Sequence, residues 1–231
     1  MINVDRIYQR VLTLANKEQR GYITPQEFNI LANQAQMDIF EQYFYDLNQF
    51  RRVPGNDTVH ADMVDILEEK ISVFEATNPL TLTNGVGALE ALGDFYRLTS
   101  IRDGNIFFES VTRKEARLFQ LSPLASPTGT RPVHVLDQAN NRVTVFGRTP
   151  ITVNIDYIRT PTLVNWTYIV VQGKALYNAN AADAQDFELH PSEETELVLK
   201  ILTLAGFTLK DPGLYQAAAG EDIKNTQQEK Q

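Results

Sequence analysis

The apolar period of this chain changes twice, and no other feature limits its possible folds as strongly. Near the N-terminus Val4, Ile7, Val11 and Leu14 recur at three- and four-residue steps, the stripe of a short helix. A second helix announces its own start. Thr24 suits the N-cap, Pro25 the first helical position, and Glu27 completes a T-x-x-E capping box. Its stripe runs through Phe28, Leu31, Ala32, Ala35, Ile39, Tyr43 and Leu47, and Phe40 and Phe44 widen it, so this helix expects more than one neighbour. "RRVPGND" (51–57) breaks the pattern, and a weaker third helix follows through Val59, Met63, Ile66 and Leu67.

From about residue 76 the period shortens towards two. Phe95, Arg97, Thr99 and Ile101 alternate, as do Ile151, Val153, Ile155 and Tyr157, and two β-rich runs flank Gln138–Asn141 as a hairpin would. A second capping box, Thr112 to Glu115, predicts a short helix among the strands. After "WTYIVVQG" the helical period returns. "HPSEETELVLKILTLAGF" carries acids in its first turn and a stripe of Leu197, Ile201 and Leu204, with Gly206 as the expected stop. Asp211-Pro212 reads as one more cap, and the last eleven residues read as a polar tail with Ile223 as its sole apolar anchor. The expected fold class is therefore α+β: N- and C-terminal helices packed as a helical bundle, with a β-rich lobe inserted between them. The expected parts are 1–75, 76–172 and 173–231.

Chemistry is sparse in this pattern. Counted from Asn16, Gly21 and Glu27 occupy the sixth and twelfth places of an EF-hand calcium loop. The third and fifth places hold Glu18 and Arg20, and a guanidinium repels a cation, so helix punctuation explains 16–27 better. His60, His134 and His190 stand apart without metal-ligand spacing. A hydrolase would need a triad assembled in space around one of them, with no G-x-S-x-G elbow to support it. "NGVGALE" puts Glu90 where a dinucleotide fingerprint wants Gly or Ala. The absence of cysteine removes disulfides, thiol catalysis and thiolate metal sites. No catalytic residue, metal or cofactor is expected. With 29 acidic residues against 21 basic ones, the net charge of -8 is poorly suited to gripping nucleic acid. The start lacks the apolar core of a signal peptide, and no run approaches the roughly 20 apolar residues that span a bilayer, so a soluble, membrane-free protein made in a cytoplasm is expected.

Aromatic clusters suggest contacts instead. Tyr43, Phe44 and Tyr45 are consecutive on one helix and cannot share a narrow stripe. "YIRTPTLVNW", with Tyr157 and Trp166, reads as an extended arm leaving the β lobe. These five residues, with Leu214, Tyr215 and Ile223 of the tail, are the candidate interface or lobe-anchoring positions.

"NVDRIYQRVLTLANKEQRGYITPQEFN" and "AQMDIFEQYFYDL" resemble the opening of virion proteins of tailed bacteriophages, of the crAss-like podovirus type. "DYIRTPTLVNW" and "DFELHPSEETELVLKILTLAGF" are similar to later blocks of the same proteins, whereas 76–150 is least similar. The resemblance implies a head-to-tail connector, the adaptor or ring protein below the portal. It implies a cyclic homo-oligomer of about twelve copies. The implied neighbours are the portal and tail proteins, with genomic DNA passing through the channel without specific binding. It implies a place in the neck or tail of the virion after assembly in the host cytoplasm, and C-terminal residues reaching the portal. A stopper or tail-hub ring is the alternative within the particle, and an EF-hand-like calcium module is the alternative outside it.

Overall fold

The computed structural model describes residues 1–17, 23–51 and 62–208. The protein is a mixed helix-and-sheet structure in two compact units, Met1–Val73 with the residues from Pro161 onward, and Phe74–Thr160.

The first unit holds helices α1 (Val4–Lys17), α2 (Pro25–Arg51), α3 (Asp62–Ser72) and α5 (Glu194–Thr208). In it α2 packs on α3 and α5, and α1 packs on α5. The expected α2 stripe is what is buried: Phe28, Ala32, Ala35, Ile39, Phe40 and Tyr43. Its capping box forms, with the Glu27 carboxylate accepting from the Thr24 N–H at 2.9 Å and hydroxyl at 2.8 Å. Those two donors hold the Glu27 carboxyl below its usual value. The twelfth place of the candidate calcium loop is thus spent on a helix start, while 18–22 lie outside the described residues. α1 is capped by Asn3, whose side chain accepts from the Arg6 N–H at 3.1 Å. Ile2 and Phe187 exchange both backbone hydrogen bonds at 3.1 Å, tying the first residues to the approach to α5. α5 runs through Gly206 to Thr208. The expected stop at Gly206 is therefore corrected: this glycine is buried inside the helix.

The second unit is built from eight strands, one short α-helix and two 3-10 turns. One antiparallel sheet has the order β1-β8-β3-β4, where β1 is Glu75–Thr81, β3 is Phe95–Asp103, β4 is Ile106–Phe107 and β8 is Thr152–Arg159. The other has the order β2-β7-β6-β5, with β2 Val86–Ala88, β5 Glu109–Ser110, β6 Val133–Asp137 and β7 Arg142–Phe146. Only β5 and β6 run parallel in it. Leu80, Ile101, Val153, Ile155 and Tyr157 of the first sheet meet Val143 and Val145 of the second in one core cluster. The expected hairpin at 138–141 joins β6 to β7, and Asn141 takes the left-handed conformation at its end (φ 50°). α4 (Arg113–Leu121) starts from the Thr112–Glu115 box.

The β-rich unit ends at Thr160, earlier than the expected boundary at 172. The physical reason is a row of amide side chains on α2. The Gln36 side-chain N–H donates to the Thr162 carbonyl at 2.9 Å. Asn33 donates to the Val164 carbonyl at 2.9 Å and accepts from the Val164 N–H at 2.7 Å. Asn29 donates to the Trp166 carbonyl at 3.3 Å and accepts from its N–H at 2.8 Å. Steps of three and four residues along a helix advance about 4.5–6 Å, close to the roughly 6.6 Å between alternate residues of an extended chain. One face of α2 therefore reads residues 162, 164 and 166 as a neighbouring strand would.

Candidate interaction surface

The extended arm ends in Trp166, which is 1% exposed. Its indole N–H donates to Asp5 of α1 at 2.9 Å, and its ring lies 4.2 Å from that of Tyr8. From there the chain makes a two-stranded hairpin, β9 (Tyr168–Val171) and β10 (Lys174–Tyr177). Gln172 and Gly173 form its tip with φ of 51° and 77°, the left-handed pair that two-residue hairpin turns require. At the base, the Thr167 hydroxyl donates to the Asn178 carbonyl at 2.6 Å. Tyr168 and Tyr177, opposite each other, both stack on Trp166 at 5.8 Å. Burial, with Asp186 and Asp5 nearby, raises the Tyr177 pKa, so its hydroxyl stays neutral.

Beyond that base the hairpin is apolar and, among the described residues, uncovered. Side chains alternate between faces, and the register sorts them. One face carries Tyr168 and Tyr177, which stack on Trp166, and beyond them Ala175 and Val170, the latter 67% exposed. The other carries Ile169, Val171, Leu176 and Lys174, and its three aliphatic side chains are 51%, 44% and 49% exposed. This sheet has two strands, so both strands are edges. Natural edges are blunted by proline, bulges or charge. Here the register is unbroken, and Lys174 is the only charge.

A second apolar feature of the same unit is an open groove of about 610 Å³ between α1 and α5. Leu14, Val198 and Leu199 line it, with Gln9, Thr13 and Thr195. Arg6 and Arg10 stand on its rim and share the Glu194 carboxylate, Arg10 at 2.7 Å. The β-rich unit exposes its own strip on α4, where Lys114 and Arg117 lie beside exposed Leu118 and Leu121.

The aromatic positions singled out from sequence divide by burial. Tyr43 is 4% exposed and lies under the Lys70 ammonium, 5.6 Å from the ring centre. Tyr157 is 1% exposed; its hydroxyl donates to Asp94 at 2.8 Å and accepts from Asn78 at 2.9 Å. Burial first, then the bond to Asp94, raises its pKa. Tyr43, Tyr157 and Trp166 thus serve the interior and offer a partner no surface. Phe44 is half-buried against Phe40, and Tyr45 is 65% exposed. Leu214, Tyr215, Ile223 and His60 lie outside the described residues. Sequence reasoning missed the hairpin because an apolar run of strand formers reads as core. The signal was "YIVVQGKALY" itself, two short β runs around Gln-Gly.

The two described histidines each make hydrogen bonds within their own unit. His134 is 3% exposed and donates from Nδ1 to the Phe108 carbonyl at 3.1 Å. His190 accepts from the Ser192 N–H at 3.3 Å as a helix cap, with the Ser192 hydroxyl 2.8 Å from the same Nδ1. The acid beside that serine, Glu193, is ion-paired to Lys70 at 2.5 Å. Among the described residues no group of three or more His, Asp or Glu could hold a metal ion, and no helix is long and apolar enough to cross a membrane. Comparison with known protein families and with curated protein sequences returned no match.

Proposed function

We propose that this chain is a structural, non-enzymatic subunit of a tailed-bacteriophage particle: a head-to-tail connector that forms a ring of about twelve copies between portal and tail. The observation that carries the reading is the exposed β9–β10 hairpin. An apolar ribbon with two open edges is marginal alone in water and finds its stability against another chain. The resemblance of both ends of the chain to connector proteins names the kind of assembly. On this reading the four helices form a bundle that carries the subunit contacts, with Phe44 and Tyr45 at its surface. The net charge of -8 suits a channel wall along which DNA slides without sticking. Residues 214–231 face the portal.

Two experiments test this. Mass spectrometry and electron microscopy of purified virions are expected to place the protein at the neck, and its absence from particles overturns the proposal. Removal of residues 221–231 is expected to abolish binding to the portal; unchanged binding removes the portal-facing role of that segment.

A further inference from the structure

We propose that Asn84, in the turn between β1 and β2, is a site of spontaneous deamidation. Only one asparagine in the sequence is followed by glycine, and it is Asn84 before Gly85. The reaction needs no metal, oxidant or partner. The Gly85 backbone nitrogen attacks the side-chain carbonyl carbon of Asn84 and closes a cyclic imide. The amide nitrogen leaves as ammonia, taking the proton of the Gly85 N–H. Water then opens the imide at either carbonyl, giving aspartate or isoaspartate.

The fold holds both residues in place. The Thr83 N–H donates to the Val86 carbonyl at 2.9 Å, and the Val86 N–H returns to the Thr83 carbonyl at 3.0 Å. Between them Asn84 and Gly85 are both left-handed, with φ of 51° and 76°, as a two-residue hairpin turn requires. Glycine is obligatory at 85 for a second reason. A Cβ there would lie 3.1 Å from both the Val145 carbonyl oxygen and the Thr149 methyl group. The turn therefore keeps beside Asn84 the residue that shields its amide least. Asn84 is exposed, and among the described residues neither its side chain nor the Gly85 N–H is hydrogen-bonded. The imide closes when the turn loosens. This turn leads into β2, three residues at the edge of its sheet, where local opening takes least.

Three other positions give the contrast. Gln172–Gly173 makes the same turn, with φ of 51° and 77°, but glutamine must close a larger ring and reacts more slowly. Asp103–Gly104 is the acidic counterpart, and its carboxylate is held by Arg148 at 2.5 Å. Asn78 precedes Pro79, whose nitrogen carries no hydrogen. The products differ in effect. Aspartate keeps the turn and adds a negative charge. Isoaspartate adds a carbon to the main chain, which breaks the Thr83–Val86 pairing and displaces the Gly85 carbonyl that accepts from the Val145 N–H at 2.8 Å.

The full-length folded protein, held at mildly alkaline pH and then cut with trypsin, tests the assignment. Peptide 71–97 carries Asn78 and Asn84, and peptide 160–174 carries Asn165 and Gln172. An amide-to-acid mass gain is expected to grow with time in 71–97, to map to Asn84 on fragmentation, and to be labelled by an isoaspartyl methyltransferase. Peptide 160–174 should stay unchanged. Asn84→Gln should abolish the gain with the circular dichroism spectrum intact, because Gln172 shows that this turn accepts glutamine. Hydrogen exchange of the aged protein should lose protection at Val86 and Val145 before β8. An Asn84 that stays intact in the folded protein overturns the proposal, even if it reacts in urea. Equal rates at Asn84 and Asn165 overturn it as well. Neither result touches the connector reading.

Discussion

Lys70 shows how one residue can hold two parts of a unit together. Its ammonium lies over Tyr43 of α2 and 2.5 Å from the carboxylate of Glu193, just before α5. The Glu193 side chain is 4% exposed and that of Lys70 16%, so removing the cation strands a buried charge. Lys70→Ala is expected to lower the unfolding free energy by about 3 kcal/mol in denaturant titration. Adding Glu193→Gln should recover part of that loss, and full additivity of the two changes would contradict the pairing. His134 makes a prediction in pH. Burial lowers its pKa, against the weaker opposing effect of its bond to Phe108. The unfolded chain then takes up a proton near pH 6.5 that the folded chain refuses, so this stability is complete above that pH and declines as pH falls below it. Melting between pH 7.5 and 5.5 should therefore show a drop in Tm, and His134→Leu should be flatter across the same window. An equal slope in the two proteins would rule out His134 as the source.

At the level of elements, the arm over 162–166 depends on three amides of α2. Asn33 both donates to and accepts from Val164. Asn33→Ala leaves both of those backbone groups without their partner, at about 2–3 kcal/mol. Hydrogen exchange should show faster loss of protection at Val164 and Trp166 than in β8; uniform loss across the chain would contradict a local role. This arrangement also shows where sequence reading succeeds and where it stops. The boxes at Thr24 and Thr112, the hairpin at 138–141, and the inward Val153, Ile155 and Tyr157 were legible because each follows from local spacing. The amide row was not, because polar residues beside a helix stripe read as a solvent face. Their partners lie about 130 residues further on. The same distance blindness set the β boundary at 172, and it left open whether Trp166 and Tyr157 anchor the lobe or meet a partner. For the hairpin, only contacts in space reveal that "YIVV" is exposed among the described residues.

For the molecule as a whole, the path of the chain matters most. Residues 74–160 enter and leave their unit side by side: Glu75 pairs with Ile158, and the Arg159 N–H donates to the Phe74 carbonyl at 2.9 Å. The unit has its own core, drawn from both of its sheets. A fragment of 74–160 is therefore expected to unfold cooperatively on its own. The remaining chain, closed by a short Gly-Ser bridge between Val73 and Pro161, is expected to keep its helical circular dichroism and its assembly state. A fragment with no cooperative transition, or a bridged protein that does not fold, would show that neither unit is self-sufficient. The amide row has a further consequence for how such a protein can change over generations. Because α2 matches every second peptide of the arm, the match depends on how many residues lie between Thr162 and Trp166. One inserted residue would turn the indole outward and re-aim everything after it, whereas an inserted pair would preserve the parity. Indels here are therefore constrained to even numbers.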